Sequence, residues 1–209
     1  PCGIMDQYVS VLARKDCALL LDCRSRTWEH IPLRLGDHVV VVINSGVKHA
    51  LASSEYAARQ AQGQQAVEFF RREDPSCRSL RDVDSSMVRT CRERMDPLAA
   101  ARALHVATEN ERTLAAAAAL RRGDLAELGK LLYASHRSLR NDYQVSCPEL
   151  DLLVEIVGAV PGVAGARLTG GGFGGCIVVV AHRDSVPAVQ AAVREKYDGA
   201  GHGPSQLMV

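Results

Sequence analysis

At 209 residues, 47% hydrophobic and 23% charged, the chain has the balance of a globular protein with a core of useful size. A formal charge of +1 and only 4% aromatic residues exclude a basic, base-stacking surface, so no nucleic-acid partner is expected. No apolar run reaches the roughly 18–20 residues that span a bilayer, and no membrane partner is expected.

PCGIMDQ opens the chain with the look of a helix entrance in mid-protein. Pro1 suits a first helical turn, Gly3 lets a backbone come close to something, and Asp6 follows within one turn. Residues 18–23 and 28–33 read as two short strands joined by a polar turn at 24–27. HVVVVIN, beginning at His38, carries apolar side chains on both faces and reads as a buried central strand. A helix follows from the serines of LASSEYAARQ to about Arg72.

The middle of the chain reads as helical. Asp96 with Pro97 marks a helix start, high helix propensity carries on to Arg122, and Gly123 ends it. The alanine run at 115–119 reads as close helix packing. Asp124 and Glu127 form a capping box for the next helix, whose Leu125, Leu128 and Leu132 make one stripe. SCPELD signals a third helix with Leu150, Leu153, Val154 and Val157 on one face. After Pro161-Gly162 the period changes to strand (ARLT, then CIVVVAH around a glycine loop), and a last helix covers about Val186 to Tyr197. The tail ends in a short edge strand. Strands, a helical block, then strand–loop–strand and helix argue an α+β fold. Seven cysteines with no CxxC pair point to reduced, mostly buried thiols in a cytoplasmic protein, and no metal-ligating cluster is expected.

Gly170, Gly171, Gly172, Gly174 and Gly175 surround Phe173 and satisfy G-x-G-x-x-G. A dinucleotide fingerprint needs a helix straight after the loop, whereas Cys176 to Val180 read as strand. A P-loop needs a following Gly-Lys-Ser/Thr, which is absent. The protein-kinase loop fits the strand–loop–strand context, but too little chain follows to carry the rest of that fold. So much glycine costs conformational entropy on folding, which a bland turn does not explain. Two readings remain: a loop beside a phosphate, and tight packing against another element.

Three stretches together, PCGIMDQ at 1–7, VINSGVKHALASSEY at 42–56 and LTGGGFGGC at 168–176, resemble the galactokinase branch of the GHMP family of small-molecule kinases. SHRSLRNDYQVSCPELD at 135–151 is similar to the C-terminal half of the same enzymes. The likeness runs in order along nearly the whole chain, thinning at 70–95 and after 197.

The resemblance implies two α+β domains with the active site between them. Residues 1–35 would end the N-terminal domain, and 36–209 would be the C-terminal domain, an antiparallel sheet with a helical layer. The implied reaction moves the γ-phosphoryl of MgATP to the 1-hydroxyl of galactose. By the same likeness Asp6 would be the catalytic base, Gly3 would lie against the sugar, and Tyr56 would line its pocket. Gly170, Gly171, Gly172, Gly174 and Gly175 would support the ATP phosphates. Lys48 and His49 read as a solvated strand end, and His105, His136 and Asp151 as structural.

The family's G-R-x-N-x-x-G-E-H-x-D-Y and serine-rich G-L-S-S-S motifs are absent. The chain therefore reads as a C-terminal portion whose Mg²⁺ ligands and much of whose sugar site lie in an N-terminal domain, and activity is expected only with that domain in cis. After Tyr56, Ala57-Ala58-Arg59-Gln60 stand where the family tends to have Asn and paired arginines. A non-catalytic sugar and ATP sensor of the same fold, or a kinase for N-acetylgalactosamine or another hexose, are the alternatives.

Overall fold

The computed structural model describes residues 3–48, 52–202 and 204–209. Pro1, Cys2 and His49 of the sequence reading lie outside the described residues, as does the side chain of Lys48.

Helix α1 (Met5–Leu12) is short, has no side-chain cap and buries none of its residues. Strands β1 (Cys17–Asp22) and β2 (Thr27–Pro32) pair antiparallel, with Cys17 opposite Pro32. Their turn is shaped by Asp22, whose carboxylate accepts from the N–H groups of Arg24 (2.9 Å) and Ser25 (3.2 Å). The hairpin packs on the helical block through Ile31, which clusters with Ala117, Leu120 and Leu128.

Strand β3 (His38–Lys48) runs into helix α2 (Ala52–Glu73). A short helix α3 (Ser85–Cys91) precedes the long α4 (Pro97–Arg122). Asp96 caps α4 by accepting from Leu98 N (3.0 Å) and Ala99 N (2.9 Å), and Gly123 closes it at φ +70°, as the sequence predicts. Helix α5 (Leu125–Ser138) widens into a π-helical turn at Leu139–Tyr143, which periodicity did not foresee. The capping box is only half made. Asp124 accepts from Glu127 N at 3.0 Å, while the Glu127 carboxylate faces Lys130 at 3.6 Å. Helix α6 (Pro148–Gly158), strands β4 (Val163–Thr169) and β5 (Gly174–His182), helix α7 (Val186–Lys196) and strand β6 (Gln206–Met208) complete the order.

The main sheet is antiparallel in the order β4-β5-β3-β6, so β3 is central and β6 is the short edge strand expected of the tail. Val41, Ile43, Ala166, Leu168, Ile177 and Val179 form one fully buried face and pack with Leu150, Leu153 and Val157 of α6. The sheet's other face is not sealed to the same degree. Val40 is 37% exposed, which corrects the expectation that β3 is buried on both sides. On that face Val180 of β5 and Ala164 of β4 pack with Ile31, Ala117, Leu120 and Leu128, and Gly129 of α5 lies against Gly165 of β4 so that two backbones touch. A Cβ on Gly129 would come within 1.8 Å of Ala164 O.

The expectation of mostly buried thiols also needs correction. Among the described cysteines, Cys77 and Cys147 are buried, whereas Cys17, Cys91 and Cys176 are half-buried and Cys23 is exposed. Cys23 sits on the hairpin turn, and Cys17 is the first residue of β1, at the open end of the hairpin.

Candidate functional site

Helix α1, the end of β3 and the β4–β5 connection meet at an open cleft of about 620 Å³. Met5, Asp6 and Val47 line one side, and Thr169 through Cys176 line the other. The glycines are there for two different physical reasons. Gly170, Gly172, Gly174 and Gly175 all have positive φ (+81°, +82°, +118° and +82°), as does Phe173 (+56°), so the chain winds through a region L side chains rarely adopt. A Cβ on Gly170, Gly171 or Gly175 would meet nothing within 4 Å, whereas one on Gly172 would stand 2.2 Å from Val145 O. Gly172 thus satisfies the packing reading and the other three leave a bare backbone facing open space.

The loop is fastened from behind. Phe173 N donates to Val145 O at 2.7 Å, so the loop hangs on the turn that follows α5. That turn is gripped by two arginines from separate helices. Arg59 of α2 donates through Nε to Tyr143 O (3.0 Å) and through Nη2 to Gln144 O (3.0 Å), with its guanidinium 5.9 Å from the Phe173 ring. Arg102 of α4 is 1% exposed and donates to Asp142 O, to Gln144 Oε1 (2.7 Å) and to Gln62 Oε1 (2.8 Å). Burial pulls the Arg102 pKa down, but three oxygen acceptors replace the water it loses. His105 stacks on Tyr143 with ring centroids 4.6 Å apart.

The strand leading into the loop is held as firmly. Leu168 N donates to His136 Nδ1 (3.3 Å), which makes Nε2 the protonated nitrogen, directed at Asp151 (3.2 Å). Burial lowers the His136 pKa despite the Asp151 charge, consistent with a neutral ring. Asp151 also takes Ser146 Oγ (2.5 Å) and Arg140 Nε (3.1 Å), so its oxygens are spoken for.

The structure therefore brings Asp6 and all five glycines to one cleft. The Asp6 side chain is exposed, with no hydrogen-bond or ion-pair partner among the described residues. Gly3 lies just before α1, exposed, with open space around it. Tyr56 stands 44% exposed at the start of α2 and does not line this cleft. The described residues lining the cleft include no lysine or arginine, so an anion there would be met by backbone N–H groups. Among the described residues no group of three or more His, Cys, Asp or Glu side chains could hold a metal ion. No described helix is long and apolar enough to cross a membrane. Sequence reasoning missed Arg59, Arg102 and Val145 as supports of the loop. The only trace was that Arg59 follows Tyr56 by one helical turn.

A sheet capped by α6 and α7, ending in a glycine hairpin that faces an N-terminal helix, is the architecture of a GHMP kinase C-terminal domain. Residues 116–205 match the family described as GHMP kinases C terminal. Within the family its similarity is to galactokinases: it is 47% identical to the galactokinase of Homo sapiens over 199 residues and 46% identical to that of Bos taurus. These matches cover 95% of this chain but only 50% of each relative, so the chain spans about half their length. The crystal structure of Lactococcus lactis galactokinase complexed with galactose superposes on all of this chain with a TM-score of 0.94, at 34% identity and over 54% of its own length.

Proposed function

We propose that these residues form the C-terminal portion of a galactokinase, transferring the ATP γ-phosphoryl to the 1-hydroxyl of galactose. The observation that carries this reading is the placement of Asp6 across one cleft from the glycine loop. A carboxylate there can orient a sugar hydroxyl and accept its proton as the phosphoryl group leaves ATP. Its freedom from other partners leaves both oxygens for that purpose. The open space around Gly170, Gly171 and Gly175, which carry no side chains, would let phosphate oxygens come close to the backbone there.

ATP with Mg²⁺ would supply the transferable phosphoryl group and the charge that shields it. The described residues fit contact with phosphate oxygens better than they fit the cation, for which Asp6 is the sole carboxylate lining the cleft. The Mg²⁺ ligands and most sugar contacts then belong to an N-terminal domain acting in cis, of which residues 1–35 are the end and against which 36–209 pack. Tyr56 and Gly3 in this reading meet the sugar only in the company of that domain. The half-open apolar face at Val40 supports a further packing partner. The free thiols support a reducing, cytoplasmic setting.

The test is ADP production by the full-length polypeptide given MgATP and a sugar. Galactose should drive turnover, and Asp6→Asn should lower kcat by at least about a hundredfold while leaving the unfolding midpoint unchanged. Turnover that survives Asp6→Asn would refute the base assignment. Ligand binding without ADP would make the protein a sensor, and a faster rate on N-acetylgalactosamine would change the substrate.

A further inference from the structure

Two adjoining cavities, of about 320 and 170 Å³, open on the helical block away from the glycine cleft and share Arg89, Leu104 and Asp142. Arg137 and Arg112 line the larger and Arg92 the smaller. Arg112 pairs with Glu109 at 2.7 Å, a carboxylate that Arg167 shares at 2.9 Å. Arg89, Arg92 and Arg137 have no ion-pair or hydrogen-bond partner among the described residues. Arg89 thus lines both cavities, with unpaired Arg137 in the larger and unpaired Arg92 in the smaller, and Asp142 is the one carboxylate among the described residues lining them.

That carboxylate is partly occupied on its inner side. Ser138 Oγ donates to Asp142 Oδ2 (2.7 Å) and in turn accepts from His105 Nδ1 (3.0 Å). Burial lowers the His105 pKa to about 4, so the ring adds no positive charge near neutrality. The charge excess of the concavity is therefore carried by the arginines, and Asn141 adds an amide donor at the rim. Guanidinium groups favour anions with several oxygens, such as phosphate, because their N–H donors can engage two oxygens at once.

The floor of this cleft is the same π-helical turn that holds the glycine loop. Asn141 and Asp142 face the arginines, and Val145, three residues on, takes the Phe173 N–H. We propose that the arginine cleft binds a small phosphate-bearing anion and that occupancy steadies the turn from which the glycine loop hangs. The proposal stands apart from the kinase reading, since it needs neither ATP nor a sugar.

Isothermal titration of the full-length polypeptide with inorganic phosphate, and separately with a hexose monophosphate, tests it; tighter binding of the second would make the ligand a phosphorylated metabolite. Arg89→Ala with Arg137→Ala should weaken binding at least about tenfold. The paired lysine substitutions should restore part of it, and Arg183→Ala with Arg194→Ala, just after β5 and on α7 and lining neither cavity, should leave it unchanged. Phosphate should also slow hydrogen exchange at 139–145 and at the Phe173 amide. Equal affinity in the Arg89/Arg137 alanine variant overturns the proposal, as does no binding of either anion. Protection confined to 170–175 overturns it as well, because the anion would then sit in the glycine cleft.

Discussion

The two walls of the glycine cleft are built to different standards. The loop wall is fixed by a main-chain hydrogen bond to Val145, by Arg59 and Arg102 behind it, and by the His136–Asp151 pair under β4. The α1 wall rests on little: Tyr8 meets Trp28 edge to face at 6.2 Å, and His30 Nε2 donates to Leu12 O at 2.7 Å. One wall is over-determined by the described residues, while the wall bearing Asp6 leaves Met5, Val9 and Val11 exposed. A firmly held loop thus faces a carboxylate carried on a helix that buries none of its residues.

Substitutions that act on one wall alone would sharpen that contrast. The largest effect belongs to Gly172→Ala, which adds a Cβ 2.2 Å from Val145 O at a φ of +82°. It should cost about 3 kcal/mol or more in urea unfolding; a loss under about 1 kcal/mol would mean that the loop is not held against Val145. Acid comes next. His105 has its pKa lowered by burial from 6.5 to about 4, so its contribution to stability is complete above pH 6.5 and is lost as pH falls toward 4. The slope should approach about 1.4 kcal/mol per pH unit in that window, with His136 adding to it in the same direction. His105→Gln should flatten the slope, and an unchanged slope would exclude His105 as its source. Smallest for stability is Gly171→Ala, where φ is not positive and nothing lies within 4 Å of the new methyl. Its unfolding free energy should stay within about 0.5 kcal/mol, while nucleotide affinity falls if phosphate approaches that backbone. Equal nucleotide binding in both proteins would argue against the cradle.

Much of the fold was legible because its signals are local. Asp96-Pro97 and Gly123 bound α4 as their cap chemistry requires, and the change from helical to alternating period after Pro161-Gly162 marks β4. The loop and Asp6 were legible through motif resemblance, and their meeting at one cleft is what the structure adds. The bracket behind the loop was not legible. Arg59 reaches main-chain oxygens that lie 84 residues further on, and a carbonyl acceptor leaves no mark on residue identity. The π-helical turn escaped notice because its register differs from a helical stripe by a single residue. The outer face of β3 misled for a related reason. Four consecutive valines look doubly buried, yet Val40 faces a side these residues leave partly open.

The sheet's central ladder sets His38 opposite His182, so strands from near the two ends of the chain must find one another across the whole helical block. Helices α4 and α5, joined by a tight turn, are neighbours in sequence and can associate early. Closing the long loop between β3 and β5 carries an entropic cost that local contacts do not offset, and such distant pairings slow folding. The glycine hairpin lies at the far end of that ladder, beyond Asn44 and Cys176. One wall of the cleft, Thr169–Cys176, therefore lies late in the chain, so the helical segments are synthesised before the cleft can exist.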